Sequence, residues 1–170
     1  MEKGQQPFVV DIDDAVRRYA DMVYRLAMLN TRDKYEAEDV FQEVFLKLFR
    51  HKESICSEEH LKAWLIRVTV NQCRSLAVTV WNKRRVSLDA VEEQGEEPVV
   101  EEDYSEVYEA VRQLPEKYRA VIHLFYYEEL QIKEIAQILE RNEATIKTQL
   151  ARGRQILNKK LKGAFEDGRI

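Results

Sequence analysis

The chain has 170 residues, 45% hydrophobic and 34% charged, enough apolar side chain for one ordinary core or two small ones. Only 5 Gly and 3 Pro are present, which leaves little turn chemistry for a many-stranded sheet and favours an all-α fold. The net charge of −4 conceals a block pattern: His60 to Arg85 carries no acid, Val86 to Val111 no Lys or Arg, and Arg141 to Lys162 seven Lys and Arg against the single acid Glu143. Two basic segments separated by an acidic one imply two surfaces for a polyanion.

In chain order, the first helix is expected from about Asp13 to Leu29, with Val16, Tyr19, Val23 and Leu26 on one stripe. Asp33 followed by Glu36 reads as an N-cap with a box-like partner, opening a second helix with Ala37, Val40, Phe41, Val44, Phe45 and Leu48 apolar. A third helix begins after Ser57, a candidate cap, and turns Leu61, Trp64, Leu65 and Val68 inward. It extends towards Arg85 through Val78, Thr79 and Val80, whose β-branching weakens helix there. Val86 to Asp103 is acidic, holds Gly95 and Pro98, lacks an apolar period, and reads as a flexible linker.

Tyr104, Val107, Tyr108 and Val111 then form a short amphipathic stripe. Leu114-Pro115-Glu116 restarts a helix with Pro in its first turn and Val121, Ile122, Leu124 and Phe125 as core face. A short helix from Ile132 to Leu139, a tight break at Arg141-Asn142 and a basic helix from about Glu143 to Leu161 make a helix-turn-helix pattern. Ile146, Leu150, Ile156, Leu157 and Leu161 are its apolar positions.

Asp39, Gln42 and Glu43 stand at i, i+3 and i+4, so they emerge together opposite Phe41, Phe45 and Leu48. Taken alone, that is a solvated helix face. Cys56 and Cys73 form no CxxC and read as a loop thiol and a helix residue in a reducing compartment. No apolar run approaches a membrane span and no signal pattern opens the chain, so a cytoplasmic protein is expected. His51, His60 and His123 have no metal-ligand or triad spacing and no Gly-rich phosphate loop is present, so neither an enzyme nor a cofactor is expected.

The strings Ala37 to Phe49, His60 to Asn71, Leu114 to Ile122 and Ile132 to Leu139, with Ala144-Thr145-Ile146-Lys147-Thr148-Gln149-Leu150, resemble the extracytoplasmic-function (ECF) sigma factors, small two-domain initiation factors of bacterial RNA polymerase. The resemblance implies a sigma-2-like domain at 1–85, an acidic linker at 86–103 and a sigma-4-like helix-turn-helix domain at 104–170. It implies docking of Asp39, Gln42 and Glu43 on the clamp helices of core RNA polymerase. For the −10 element it implies a base held by Asn71 and the Lys52 to Ser57 loop, with Lys52, Arg67, Arg74, Lys83, Arg84 and Arg85 on promoter DNA. Trp64 is read as core rather than as a stacking platform. For the −35 element it implies contacts from Thr145, Lys147, Thr148, Arg152 and Arg154. Gln149, Ala151 and Gly153 depart from the usual family residues, which bears on the −35 sequence read. An anti-sigma factor is the further partner implied; no small-molecule substrate is. The rival reading is a conventional helix-turn-helix regulator acting on symmetric half-sites without polymerase.

Overall fold

A computed structural model describes residues 6–86 and 106–166. The chain divides into two compact units, 1–91 and 92–170, and the acidic 87–105 stretch, which holds most of the expected linker, lies outside the described residues. Every regular element described is helical.

In the first unit, α1 (Ile12–Asn30), α2 (Lys34–His51) and α3 (Glu58–Val86) pack against one another in all three pairings. Each start is fixed by a cap. Asp11 accepts from the Asp14 N–H and begins α1 one residue earlier than periodicity suggests. Asp33 accepts from the Glu36 N–H at 2.9 Å, while the Glu36 carboxylate reaches back to the Arg32 N–H at 3.0 Å. Ser57 Oγ accepts from the His60 N–H at 3.0 Å. Between α2 and α3 lies a 3₁₀ turn, Lys52–Ser54, anchored through the buried Ile55.

The core is the meeting line of Val23, Leu26 and Leu29 of α1, Val40, Val44 and Leu48 of α2, and Leu61, Leu65 and Ile66 of α3, all buried. Thr69, fully buried, satisfies its hydroxyl on the Leu65 carbonyl at 2.7 Å. Trp64 and Val68 correct the sequence expectation: both stay half-exposed, and the inward positions are Ile66, Thr69, Val70 and Cys73 instead. Helix continues through Val78, Thr79 and Val80, because β-branching costs only about 0.5 kcal/mol per residue and cannot stop a helix already nucleated.

The second unit holds α4 (Glu106–Arg112), α5 (Glu116–Tyr126), α6 (Ile132–Leu139) and α7 (Glu143–Glu166). Pro115 sits at the N-cap of α5, one place before the first turn proper. Leu124, Ile135, Ile146 and Leu150 are the largest fully buried side chains. The α6–α7 turn is closed from both sides. Glu140 adopts left-handed backbone at φ 55°, and Asn142 Oδ1 caps α7 by accepting from the Thr145 N–H at 2.7 Å. The Arg141 guanidinium donates to Gln149 Oε1 at 2.9 Å, binding the turn to α7.

Candidate nucleic-acid interface

At 100° per residue, positions spaced alternately by four and three stay on one helix face. On α3 that spacing picks out His60, Trp64, Arg67, Asn71, Arg74, Val78, Trp81 and Arg85, and every one is exposed or half-exposed. Arg67, Asn71, Arg74 and Arg85 therefore share one acid-free stripe, whereas Lys83 and Arg84, exposed too, point round the helix from it. The 29-residue helix carries the stripe for roughly 40 Å.

Asn71 stands at the mouth of a cavity of 440 Å³ between α2 and α3. Its lining comprises Lys47 and His51 of α2, and Trp64, Val68, Asn71, Gln72 and Ser75 of α3. That set offers an aromatic face, a cation and an Asn amide able to donate and accept, which are the groups needed to hold an unstacked base beside a phosphate. The Trp64 ring is thus a wall of the cavity; its half-exposure ends the reading of it as core. The Lys52 to Ser57 loop contributes nothing to this lining: the Lys52 ammonium lies over the Phe49 ring at 4.9 Å, and Cys56 Sγ sits 3.3 Å from His60 Nδ1. Cys56 is exposed and Cys73 buried, and the two form no disulfide with each other.

A second cavity, of 310 Å³, is lined by Asp39, Val40, Gln42, Glu43, Leu46, Gln72 and Leu76. The three polar residues singled out on α2 do converge, around an apolar floor. Gln72 lines both cavities, and its Oε1 accepts from Lys47 Nζ at 2.7 Å. Sequence reading missed Lys47, His51 and Gln72; the acid-free 4–3 stripe on α3 was the signal that a functional face ran there.

In the second unit, α7 buries Ile146, Leu150 and Gly153 and leaves Lys147, Thr148, Ala151, Arg152 and Gln155 exposed. Lys147 and Arg152 stand on the two shoulders of a centre made of Ala144, Thr148 and Ala151. Short side chains at that centre leave room for the close approach that reading a groove requires. Thr145, half-exposed, borders the Arg152 side. Arg152 also hydrogen-bonds the Tyr118 hydroxyl: burial opposes ionisation of that phenol, but Arg152 and Lys117 outweigh it and lower its pKa. Arg154 turns away to Tyr126, donating to its hydroxyl and lying 5.4 Å over both the Phe125 and Tyr126 rings.

Two of the departures from the family pattern are internal. Gln149 is tied to Arg141, and Gly153 is buried against α5, where an added Cβ would meet Ile122 Cγ1 at 2.9 Å. Of the three, Ala151 alone is exposed, Gln149 being half-exposed and Gly153 buried.

Comparison with known proteins decides the family. Residues 15–81 match Sigma-70 region 2 and residues 104–157 match Sigma-70 region 4. The ECF RNA polymerase sigma factor SigW of Bacillus subtilis is 31% identical, over 95% of this chain and 93% of its own length. The chain belongs to the ECF sigma factors. SigM of Bacillus subtilis, another ECF sigma factor, is 30% identical over 86% of this chain and 92% of its own. The fold of this sigma factor is likewise that of the Bartonella quintana sigma factor RpoE, solved with the anti-sigma factor NepR, at a TM-score of 0.76 and 21% identity over 89% of this chain and 97% of that one. CnrH, solved with the cytosolic domain of CnrY, gives a TM-score of 0.64 at 18% identity, covering 89% of this chain and 88% of that one. As a sigma factor the chain is a DNA-binding regulatory subunit that directs transcription initiation. Among the described residues, no helix is long and apolar enough to cross a membrane.

Proposed function

We propose that the chain, acting in the cytoplasm and without catalysis or cofactor of its own, docks on the clamp helices of core RNA polymerase through Asp39, Gln42 and Glu43. The convergence of these residues around Val40, Leu46 and Leu76 supports that role, since polar groups beside apolar ones suit a basic helical partner. The first unit then captures an extruded −10 base in the cavity of Asn71, Trp64, Lys47 and His51, while Arg67, Arg74 and Arg85 hold the adjoining backbone and Lys83 and Arg84 add non-specific charge. Unstacking a base costs a few kcal/mol, which enclosure and edge hydrogen bonds must offset. Lys52, over the Phe49 ring and outside the cavity lining, adds positive charge for promoter DNA. The helix-turn-helix reads −35 through Lys147, Thr148 and Arg152, with Thr145 beside them; Arg154, drawn to Tyr126, shapes the neighbouring surface. The observation that carries this reading is the α3 stripe, which sets Asn71, the cavity and three arginines on one acid-free face. Because one structural neighbour is complexed with the anti-sigma factor NepR and another with the cytosolic domain of CnrY, we infer an anti-sigma partner for this chain as well.

The test is run-off transcription with core RNA polymerase on a genomic promoter library, with and without the protein. New start sites sharing asymmetric −35 and −10 elements are expected. Unaided binding to palindromic sites with no new transcripts would replace this reading with a conventional regulator.

A further inference from the structure

Lys47 stands one turn after Glu43 on α2, and both side chains are half-buried. Glu four residues before Lys is the favoured order for an ion pair along a helix surface, so the two are natural partners. Among the described residues they make no ion pair with each other. The Lys47 ammonium reaches across to α3 instead and donates to Gln72 Oε1 at 2.7 Å, a part-buried contact between residues 25 apart in sequence. Glu43 stays on the lining of the second cavity with Asp39, Lys47 on that of the first with Asn71 and Trp64, and Gln72 is common to both. An amide suits that place. Its oxygen accepts from an ammonium, its nitrogen donates to carboxylates, and it brings no charge that would cancel either. Lysine is a point charge on a flexible four-carbon stem, so its position depends on the acceptor that holds it.

We propose that Gln72 is a positioning residue that keeps these two charges apart. Its carbonyl holds the Lys47 ammonium in the first cavity, for the phosphate of the captured nucleotide, and leaves the Glu43 carboxylate to the docking partner. The proposal rests on the assignment of the first cavity to the −10 base. Without the Gln72 acceptor, Lys47 falls back on Glu43: the base cavity loses its ammonium and the docking cavity loses a negative charge. Neither loss requires Gln72 to touch DNA.

The experiment uses holoenzyme assembled from the full chain and saturating core RNA polymerase, and reads open-complex affinity on one promoter from about 50 to 200 mM salt. Gln72→Met keeps the side-chain length and helix preference and deletes the amide. Loss of one phosphate contact on a single strand makes the log–log salt slope shallower by about 0.7, so the defect should be about 2.5-fold larger at the low-salt end than at the high. Lys47→Met should give the same flattening, and the double variant should be no worse than Lys47→Met alone. In a Glu43→Gln background the competing carboxylate is gone, and Gln72→Met should no longer flatten the slope. Gln72→Leu, a second apolar shape at the same half-exposed position, should repeat each result, with urea unfolding followed by tryptophan fluorescence as the check that the first unit is intact. Wild-type affinity of Gln72→Met overturns the proposal. So does a defect independent of salt, or one that adds to Lys47→Met, either of which makes the role of Gln72 structural. If Lys47→Met is itself silent, the assignment of the cavity falls and takes the proposal with it. If Lys47→Met flattens the slope while Gln72→Met does not, the assignment stands and only the positioning role falls.

Discussion

Gly153→Ala isolates what the close approach of α7 to α5 is worth. In an open helix interior this substitution gains about 1 kcal/mol, because glycine is the weaker helix former. Here the new methyl would lie 2.9 Å from Ile122 Cγ1 and 3.0 Å from Ile122 Cδ1, inside any tolerated carbon–carbon contact. Ile122 is only 3% exposed, so it has little room to yield. Overfilling a packed site costs about 1–3 kcal/mol, which leaves a net loss of roughly 1 kcal/mol in the second unit. Urea unfolding measures it. Both tryptophans, Trp64 and Trp81, lie in the first unit, so their fluorescence should not move while the transition followed by far-UV circular dichroism shifts to lower urea. Ile122→Val removes Cδ1 and should recover about 0.5–1 kcal/mol of the Gly153→Ala loss in a double-mutant cycle. Stabilisation by the full propensity gain, or an additive cycle, would refute the steric account. The −35 preference of Gly153→Ala holoenzyme should match wild type, because the methyl points into the core.

Four further outcomes follow from the geometry. Glu140→Gly should stabilise the second unit by about 1 kcal/mol, since left-handed backbone at φ 55° costs a side-chain-bearing residue more than glycine's extra freedom does; an unchanged urea midpoint would count against this. The Tyr19 phenol is pushed up to about 12, first by burial, then by its hydrogen bond to Glu58 and the charge of Glu58, against the opposing charge of Arg18. Its folded pKa lies above its unfolded value near 10, so the stabilisation is whole below about pH 10 and lost on rising towards 12; Tyr19→Phe should abolish that alkaline decline in the tryptophan-detected midpoint. Reversing charge at Asp39 and Glu43 together should weaken core polymerase binding at least tenfold in a pull-down titration at low salt, and undiminished binding removes them from the docking face. Lys147→Ala should relax discrimination at one −35 position by about 1–3 kcal/mol, read from a randomised −35 library; an unaltered profile denies direct readout.

Helix identity was legible because its determinants are local. Asp33 and Ser57 cap as their sequence context indicates, the apolar period of α2 identifies its buried face, and the Arg141-Asn142 break is where α6 gives way to α7; on α1, Val23 and Leu26 are buried but Val16 and Tyr19 are half-exposed, and Ala15, Met22 and Leu29 are buried beside them. What escaped depends on neighbours. Trp64 looks like core in a one-helix projection, but α2 leaves a groove beside it that Lys47 and His51 complete. Gln149 and Gly153 read as surface departures until Arg141 and Ile122 are seen against them. Arg154 has the charge of a phosphate contact and the setting of an aromatic one. Composition assigns no direction to a side chain; the adjoining helix does.

On the proposed assignment, the two cavities of the first unit bear on how docking and promoter opening are joined. Both are lined by α2 and α3 and share Gln72, whose Oε1 accepts from Lys47 Nζ. Val40, Val44 and Leu48 fix α2 to the same core that Leu61, Leu65 and Ile66 fix α3 to, and interiors packed at crystal-like density do not let such helices slide independently. A partner seated against Asp39 and Glu43 therefore bears on the very helix pair that shapes the Asn71 cavity, without any hinge between them. On the proposed assignment both faces belong to one three-helix body, so docking and promoter opening are expected to be linked through what is docked rather than through a refolding of the unit. It also explains the charge layout. Asp39 and Glu43 place acid on the α2 face proposed to meet polymerase, while the α3 stripe from His60 to Arg85 has none, so one small core presents opposite signs to its two proposed partners.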